Sequence, residues 1–560
     1  MTDERDEPTI RERVWFNWQQ PASPLLLGGT IDACGQPFRE FFGFPFFTSI
    51  IYYRTLDRDR GYQCSWLLRR GEGEACGRLL VDALSVPSFQ AHLDQAIEAS
   101  FGALGAAGVE LSDLDLERLN DDELTARFED FQRLFIDFYR IGAITEPVSW
   151  HVERFFREFA DDAEGAAHLP RGWSSDRIEA AAFMTDEESY TLEIERSLVV
   201  VAELFDAANL QGAKGELVEL ASDWEAMQRR HPGLAAAASQ HAESYPWKAN
   251  NYRVAKAMGE AEVIAEIQAM DGAGSAQERL RSSIADTERR RASMSEDRAR
   301  LLAGCPPTVR SALRIGDRYG SGLADRRKAT MLPALQLIES IARELARRSG
   351  VDHGLILNLT PSEVGEFARS PEAYRERLER RREALVLVQA PFPLDNAEMA
   401  ARLRIGAEGF RLPRKDDTSL AEGPEALVLL DRIDATMGLF RHGKGDEVSG
   451  SVIVWPQTGS ILEGRCRVIS DPRTDRLEPG EILIATSTTP DFMPAIRNAS
   501  ALLVDQGGTL SHAALTSREL GKPCIIGTAH ASSVFRSGDL LRLDFDAGTA
   551  IAIAEPADGE

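Results

Sequence analysis

The feature that most constrains this chain is a pair of glycines, Gly507 and Gly508, between an apolar run and a helical pattern. The apolar run at residues 501–504 predicts a buried strand, and the glycines allow a turn that other residues resist. Residues 511–520 then predict a helix, which a following glycine and proline bring to an end. Residues 524–526 predict another strand. The unit is therefore strand, glycine turn, helix and strand.

A single histidine, His512, falls in the first turn of this helix, directly after the good N-cap residue Ser511. Free N–H groups point out of a helix N-terminus, and the macrodipole favours an anion there. A phosphate on His512 would meet these donors and the hydroxyls of Thr509 and Ser511. The same positive end disfavours a second proton on the ring, and a neutral imidazole is a nucleophile. The pattern predicts an exposed His512 that carries a phosphoryl group; the alternative is a histidine that only caps or packs.

The segment and its flanks resemble the phosphohistidine (swivelling) domain of the phosphoenolpyruvate-utilising enzymes. That family shares a glycine pair, a small or hydroxyl residue, His-Ala-Ala and then Arg-Glu-Leu-Gly-x-Pro. About 100 residues match in order, and the further matching stretches are residues 459–465, 478–485, 488–492, 538–539 and 544–548. Ser517 and Lys522 depart from the usual residues, an alanine and an apolar residue. Both lie past the first helical turn, so they bear on packing more than on chemistry.

Composition excludes several classes of protein. The formal net charge of -25 argues against nucleic acid as a partner, because phosphates would be repelled. The six cysteines are scattered without a Cys-x-x-Cys pair, so neither a disulfide framework nor a metal site is expected. The N-terminus is charged and unlike a signal peptide, and no apolar run is long enough to span a membrane. These features predict a cytoplasmic protein without a membrane partner.

The chain divides into four regions by composition, which predict a multidomain fold of the α plus α/β class. Residues 1–110 are mixed and contain a Trp- and Pro-rich stretch similar to the segment after an ATP-grasp domain. Residues 111–407 show helical periodicity and are the expected acceptor-binding domain. Residues 408–450 predict a linker, and residues 451–560 predict the β/β/α swivelling domain.

The resemblance implies a dikinase-like phosphotransferase with a phosphohistidine intermediate. The layout is closest to rifampicin phosphotransferase and phenylphosphate synthase, without their ATP-grasp part. We therefore expect ATP and Mg²⁺ at a separate ATP-grasp subunit, no cofactor bound by this chain itself, and a small organic acceptor in the helical domain. Phosphoenolpyruvate is the alternative donor. The alternative function is a non-enzymatic phosphocarrier or regulatory protein of the same fold.

The acceptor pocket has weaker sequence signals. Two histidines near aromatic residues are candidate bases, and two aromatic residues are candidate pocket walls: His151, His241, Tyr245 and Trp247. Three cations nearby are candidate phosphate contacts: Lys248, Arg253 and Lys256. Ordinary packing is the alternative for each histidine, because pattern alone does not place a base.

Overall fold

The computed structural model describes most of the chain. The described residues are 15–44, 46, 49–57, 61–185, 190–208, 210, 224–248, 250, 255, 257–270, 275–389, 414–415, 418–437, 447–472, 475–508, 511–528 and 530–553. Contacts divide the chain into two compact units. The first unit comprises residues 1–155, 251–254 and 333–443, and the second comprises residues 156–250, 255–332 and 444–560.

A six-stranded sheet and several helices build the first unit. Its strands are β1 (Trp15–Pro21), β2 (Ser49–Asp57), β3 (Gly61–Arg69), β4 (Ala384–Gln389), β5 (Arg414–Lys415) and β6 (Thr418–Glu422). They follow the order β1-β3-β2-β4-β6-β5, and every pairing is antiparallel. The early helices are α1 (Pro24–Cys34), α2 (Gln36–Phe42), α3 (Arg70–Leu84), α4 (Pro87–Ser112), α5 (Asp121–Gly142) and α6 (Thr145–Asp161), the last of which crosses into the second unit.

The core of the first unit forms where α1 meets α5. A capping box between Asn120 and Glu123 starts α5, and its phenylalanines recur on one buried face, as the sequence spacing predicts. Helix α1 is buried on nearly all sides. Gly29 permits this close approach, because a Cβ there would lie 2.5 Å from the amide nitrogen of Gln132.

Helices from the middle of the chain form a bundle in the second unit. They are α7 (Ala163–Ala166), α8 (Ser175–Ala182), α9 (Tyr190–Ala207), α10 (Trp224–Arg230), α11 (Pro232–Ser244), α12 (Glu260–Ala269), α13 (Ala276–Gly304) and α14 (Pro307–Ile315). A π-helical turn, Gly316–Gly322, leads into α15 (Leu323–Ser349), which ends in the first unit. Apolar residues of α9, α11, α12 and α13 pack into one core.

Further helices of the first unit follow α15 in the described part of the chain. They are α16 (His353–Ile356), α17 (Val364–Arg369), α18 (Pro371–Arg381) and α19 (Pro424–Met437). A capping box precedes α17, since the amide of Thr360 donates to Glu363 Oε2 at 2.9 Å.

A mixed sheet of eight strands forms the C-terminal part of the second unit. Its strands are β7 (Val448–Ser449), β8 (Ser451–Val454), β9 (Ile461–Val468), β10 (Ile482–Ala485), β11 (Ala501–Val504), β12 (Cys524–Ile526), β13 (Leu540–Asp544) and β14 (Thr549–Ala552). The order is β7-β14-β13-β9-β10-β11-β12-β8, and β9 to β12 are parallel. The accompanying helices are α20 (Met493–Asn498), α21 (His512–Leu520) and α22 (Ala531–Val534). Two apolar cores, one on each side, consist only of residues from 448 to 550.

The expected fold class is confirmed: helices dominate the N-terminal and middle regions, and a mixed α/β domain follows them. The predicted linker, residues 408–450, differs from the structure in its described part. Strand β6 pairs there with β4, and helix α19 follows directly. The charged and glycine-containing sequence is typical of a linker, but part of it pairs with a strand more than 25 residues earlier in sequence. None of the described helices combines the length and apolarity that a bilayer-spanning segment requires.

Candidate phosphohistidine site

The turn before the histidine requires its first glycine. Gly507 has φ 115°, in the region that only glycine adopts without strain. A Cβ at this position would also lie 2.5 Å from Ser511 Oγ. The chain therefore turns sharply from strand β11 and brings Ser511 back against the turn. The Gly508 carbonyl accepts a hydrogen bond from the Ser511 amide at 2.9 Å.

Ser511 caps helix α21 as the sequence predicts. Its Oγ accepts a hydrogen bond from the Ala514 amide at 3.3 Å. No described residue accepts a hydrogen bond from the amides of His512 or Ala513, which lie in the first turn of α21. These amides can therefore donate to a ligand at the helix N-terminus. Gly521 ends the helix in the left-handed conformation with φ 63°. The predicted contact Thr509 lies outside the described residues.

The imidazole of His512 has one ring nitrogen engaged. Nδ1 shares a hydrogen bond with Thr488 Oγ1 at 3.0 Å, whereas Nε2 has no partner among the described residues. The prediction of an exposed ring is wrong for this conformation, because the residue is only 8% exposed. Burial, and next the positive charge of Lys328 on α15, hold the pKa of His512 well below its usual value. The expected neutral ring is thus present, but burial is the main cause.

A buried carboxylate anchors the strand that leads to the turn. Asp505 accepts hydrogen bonds from Thr528 Oγ1 at 2.9 Å and from the Ser532 amide at 3.2 Å, and its Oδ2 accepts one from the Ser532 hydroxyl. Burial raises the pKa of Asp505 to about 6. These hydrogen bonds join the end of β11, where the glycine turn begins, to the segment after β12.

The sequence of this site has known relatives. Residues 477–548 match the family described as "PEP-utilising enzyme, mobile domain". This match lies within the C-terminal sheet and its helices, residues 447–553, which are called the mobile domain below. The mobile domain contains both Thr488 and His512, so the bonded pair described above lies within the matched family.

Three relatives show how far the similarity extends. A probable phosphoenolpyruvate synthase of Methanothermobacter thermautotrophicus is 30% identical over 162 residues, 28% of this chain and 23% of the relative. One from Pyrococcus horikoshii is 43% identical over 103 residues, 18% of this chain and 12% of the relative. The rifampicin phosphotransferase of Streptomyces sviceus is 34% identical over 116 residues, 21% of this chain and 13% of the relative. The chain thus matches less than a quarter of each relative's length.

Three of the four candidate acceptor residues lie together in the second unit. The His241 and Tyr245 rings are 5.2 Å apart, and those of Tyr245 and Trp247 are 6.2 Å apart. His241 is 1% exposed; its Nδ1 shares a hydrogen bond of 2.9 Å with Ser197 Oγ, and Nε2 has no described partner. His151 belongs to the first unit, where its ring stacks on Phe155 at 6.2 Å.

The candidate cation Lys248 is held in a buried ion pair. Its Nζ lies 2.7 Å and 2.6 Å from the two carboxylate oxygens of Glu266. The ammonium group that the sequence analysis considered as a phosphate contact is therefore already paired with a carboxylate. Arg253 and Lys256 lie outside the described residues. Within the described part of the chain, no group of three or more His, Cys, Asp or Glu residues is arranged to hold a metal ion.

Sequence reasoning missed the role of Thr488. The residue opens the Thr-Thr-Pro stretch that resembles the family's turn, which was the only signal available. Strand β10, which ends three residues before Thr488, is the direct parallel neighbour of β11, which leads to the glycine turn. This adjacency brings the hydroxyl to the ring.

Proposed function

We propose that the chain is a phosphotransferase component in which Nε2 of His512 carries a phosphoryl group. The observation that supports this most directly is the asymmetry of the ring: Nδ1 is bonded to Thr488, and Nε2 has no partner among the described residues. A proton on Nδ1, donated to Thr488 Oγ1, leaves the lone pair on Nε2. Within a mobile domain of the PEP-utilising type, that lone pair is the nucleophile.

The first step forms an N–P bond and breaks a P–O bond. Nε2 of His512 attacks the phosphorus of the donor, the leaving oxygen takes the electron pair, and Nδ1 keeps its proton. The amides of His512 and Ala513, which have no acceptor among the described residues, and the positive end of α21 offer donors and a favourable field for the phosphoryl oxygens. Catalysis of such transfers is mainly positioning and charge stabilisation.

The second step returns the phosphoryl group to oxygen. A hydroxyl of a small organic acceptor attacks the phosphorus, the N–P bond breaks, and the hydroxyl proton is released to solvent. We propose the helical part of the second unit as the acceptor domain, with His241, Tyr245 and Trp247 as candidate pocket residues. The aromatic rings suit a partly apolar acceptor. His151, in the first unit, is not included with them.

The donor in this proposal is ATP, bound with Mg²⁺ on a separate ATP-grasp subunit. Both follow from the family resemblance and the expected layout. Phosphoenolpyruvate is the alternative donor. Parallel reactions with ATP or with phosphoenolpyruvate show which of the two phosphorylates the chain.

The experiment is to label the chain with ATP, Mg²⁺ and the candidate subunit, and to map the adduct by mass spectrometry. We expect an acid-labile, base-stable phosphate on His512 and none on the His512→Ala variant. Potassium phosphoramidate, which phosphorylates imidazoles chemically, replaces the subunit in a second arm. Equal labelling of the His512→Ala chain would overturn the mechanism. A phosphorylated His512 that yields no phosphoester with any acceptor would instead identify a phosphocarrier.

A further inference from the structure

The histidine helix of the mobile domain is held at its C-terminal end by two arginines from the bundle. Arg290 Nη1, on α13, donates to the carbonyl of Glu519 at 3.1 Å. Arg291 Nη1, on the same helix, lies 2.8 Å from Glu519 Oε1. The last carbonyls of a helix lack internal partners and carry its negative pole, so cations bind there favourably.

A second ion pair joins the mobile domain to α9. Arg497, on α20, pairs through Nη2 with Oε1 of Glu195, a side chain that is 5% exposed. Lys522, two residues after α21, links the end of that helix to α20, because its Nζ donates to the carbonyls of Arg497 and Ala499 at 2.7 Å each. The two ion pairs therefore act on helices that Lys522 connects.

These contacts are distinct from the packing of the mobile domain itself. Its two apolar cores use only its own residues, whereas Arg291 and Glu195 belong to the bundle. The side chains of Arg291 and Glu519 are 15% and 14% exposed. Removing one partner of such a pair leaves an uncompensated buried charge, whereas neutralising both does not. The two ion pairs thus hold the mobile domain to the bundle. Replacing one partner of a pair would leave the other charge buried and unpaired.

Helix α15 of the bundle acts electrostatically on both ends of α21. The helix has nine residues and is about 13 Å long, with Glu519 near one end and His512 at the other. Lys328, on α15, is close enough to act electrostatically on the ring. Asp325, three residues earlier on α15, repels the Glu519 carboxylate, opposite in sign to the attraction of Arg291. The start of α15 therefore lies near α21, and Nε2 of His512 is buried without a partner among the described residues.

We infer that the ion pairs Arg291–Glu519 and Arg497–Glu195 clamp the mobile domain onto the bundle with His512 covered, and that this clamp opens before Nε2 meets a phosphoryl donor. The second clause rests on the proposed function; the first does not. The clamp residues are positioning residues and do not touch the reacting atoms.

The test measures how fast diethyl pyrocarbonate modifies His512 in the full chain, without nucleotide or donor, by peptide mass spectrometry. The exposed His92 is the internal reference. We expect slow modification of wild-type His512, and modification about tenfold faster or more in the Arg291→Gln/Arg497→Gln variant. The Arg291→Gln/Glu519→Gln variant should lie between wild type and that variant, because it lacks one ion pair and keeps the Arg497–Glu195 pair. Arg289→Gln, whose exposed partner Asp286 lies on the same helix, is the matched control and should change nothing.

Hydrogen exchange in strand β11 reports whether the mobile domain stays folded in each variant. Faster modification with β11 still protected supports the clamp. An unchanged rate, or a faster rate that appears only when β11 loses protection, overturns it, since the pairs would then stabilise the domain itself. Wild-type His512 as reactive as His92 overturns it as well. Failure of the proposed function appears instead as absent phosphohistidine, which this assay does not measure.

Discussion

Thr488 Oγ1 and His512 Nδ1 hydrogen-bond at 3.0 Å across 24 residues of sequence. A hydroxyl both donates and accepts, so the contact alone does not set the tautomer. Donation from Nδ1–H is the arrangement that leaves Nε2 ready to attack phosphorus. The neutral ring makes this possible, because burial keeps the pKa of His512 well below its usual value.

Replacing Thr488 tests this arrangement directly. Thr488→Val keeps the shape and removes the hydroxyl, so the ring loses its orienting bond. We expect phosphorylation of His512 by phosphoramidate to slow about fivefold to tenfold, since one hydrogen bond contributes about 1 kcal/mol. Phosphorus NMR should also show a mixture of the Nε2 and Nδ1 adducts in place of mainly the Nε2 adduct. Thr488→Ser is the control and should behave like wild type; a pure Nε2 adduct at full rate in Thr488→Val would contradict the role of this bond.

Gly507 should be intolerant of any side chain. Gly507→Ala combines a strained φ of 115° with a contact of 2.5 Å to Ser511 Oγ. We expect a loss of about 2–3 kcal/mol in unfolding free energy and of most labelling at His512. Gly480→Ala is the matched control, because its φ is 90° but a Cβ there meets nothing within 4 Å. Equal effects in urea denaturation of the two variants would show that the clash with Ser511 is unimportant.

Ser511 contributes as a cap and not as the nucleophile. Ser511→Ala removes the acceptor for the Ala514 amide, which costs about 1 kcal/mol. Labelling of His512 should therefore slow but persist, whereas Ser511→Asn, another good cap, should retain stability. Complete loss of labelling in a folded Ser511→Ala chain would assign the hydroxyl a direct chemical role.

The local structure around the histidine was predictable, because short-range rules determine it. The N-cap Ser511, the C-terminal Gly521 and the glycine at 507 each act over a few residues, and each is found as expected. The fold class followed from the same kind of pattern. The exception is strand β6, which the sequence did not predict. It pairs with β4, a partner far away in sequence that composition cannot reveal.

The covered state of His512 was not predictable for the same physical reason. Its neighbours include Lys328 on α15, and its helix is held by Arg290 and Arg291 on α13. These residues are separated from the histidine helix by about 180 to 230 residues of sequence, and each reads locally as part of a charged, solvated helix face. Only the packing of the second unit turns them into contacts of the mobile domain.

The buried pair Lys248–Glu266 should behave as a coupled unit. Lys248→Met leaves the Glu266 carboxylate buried without a cation, and we expect a loss of about 3–5 kcal/mol in unfolding free energy. Lys248→Met/Glu266→Met should recover most of that loss, because two apolar side chains replace two buried charges. The control is Arg229→Met, whose exposed pair with Glu225 should contribute less than about 1 kcal/mol. Additive losses in the double variant, measured by urea denaturation, would contradict the coupling.

His241 should make the stability of the bundle depend on pH. Burial, and next the charge of Lys248, lower the pKa of His241 to about 4, while Glu266 opposes the shift. Below pH 6.5 His241 is protonated in the unfolded chain, whereas in the folded chain it stays neutral until the pH falls to about 4. Stability therefore does not suffer from this difference above pH 6.5. As the pH falls towards 4, the free energy of unfolding decreases progressively, by roughly 3 kcal/mol at most.

The measurement is urea denaturation of the full chain at intervals between pH 7.5 and about pH 4.5, within the window in which His241 differs between the two states. His241→Gln should lower stability near neutral pH, because Ser197 loses its partner, and should flatten the fall in stability below pH 6.5. His92→Gln, at an exposed position on α4, should keep the wild-type slope. The same slope in the His241→Gln chain as in wild type would mean that His241 accepts its proton in the folded bundle, and the buried neutral imidazole would have to be abandoned.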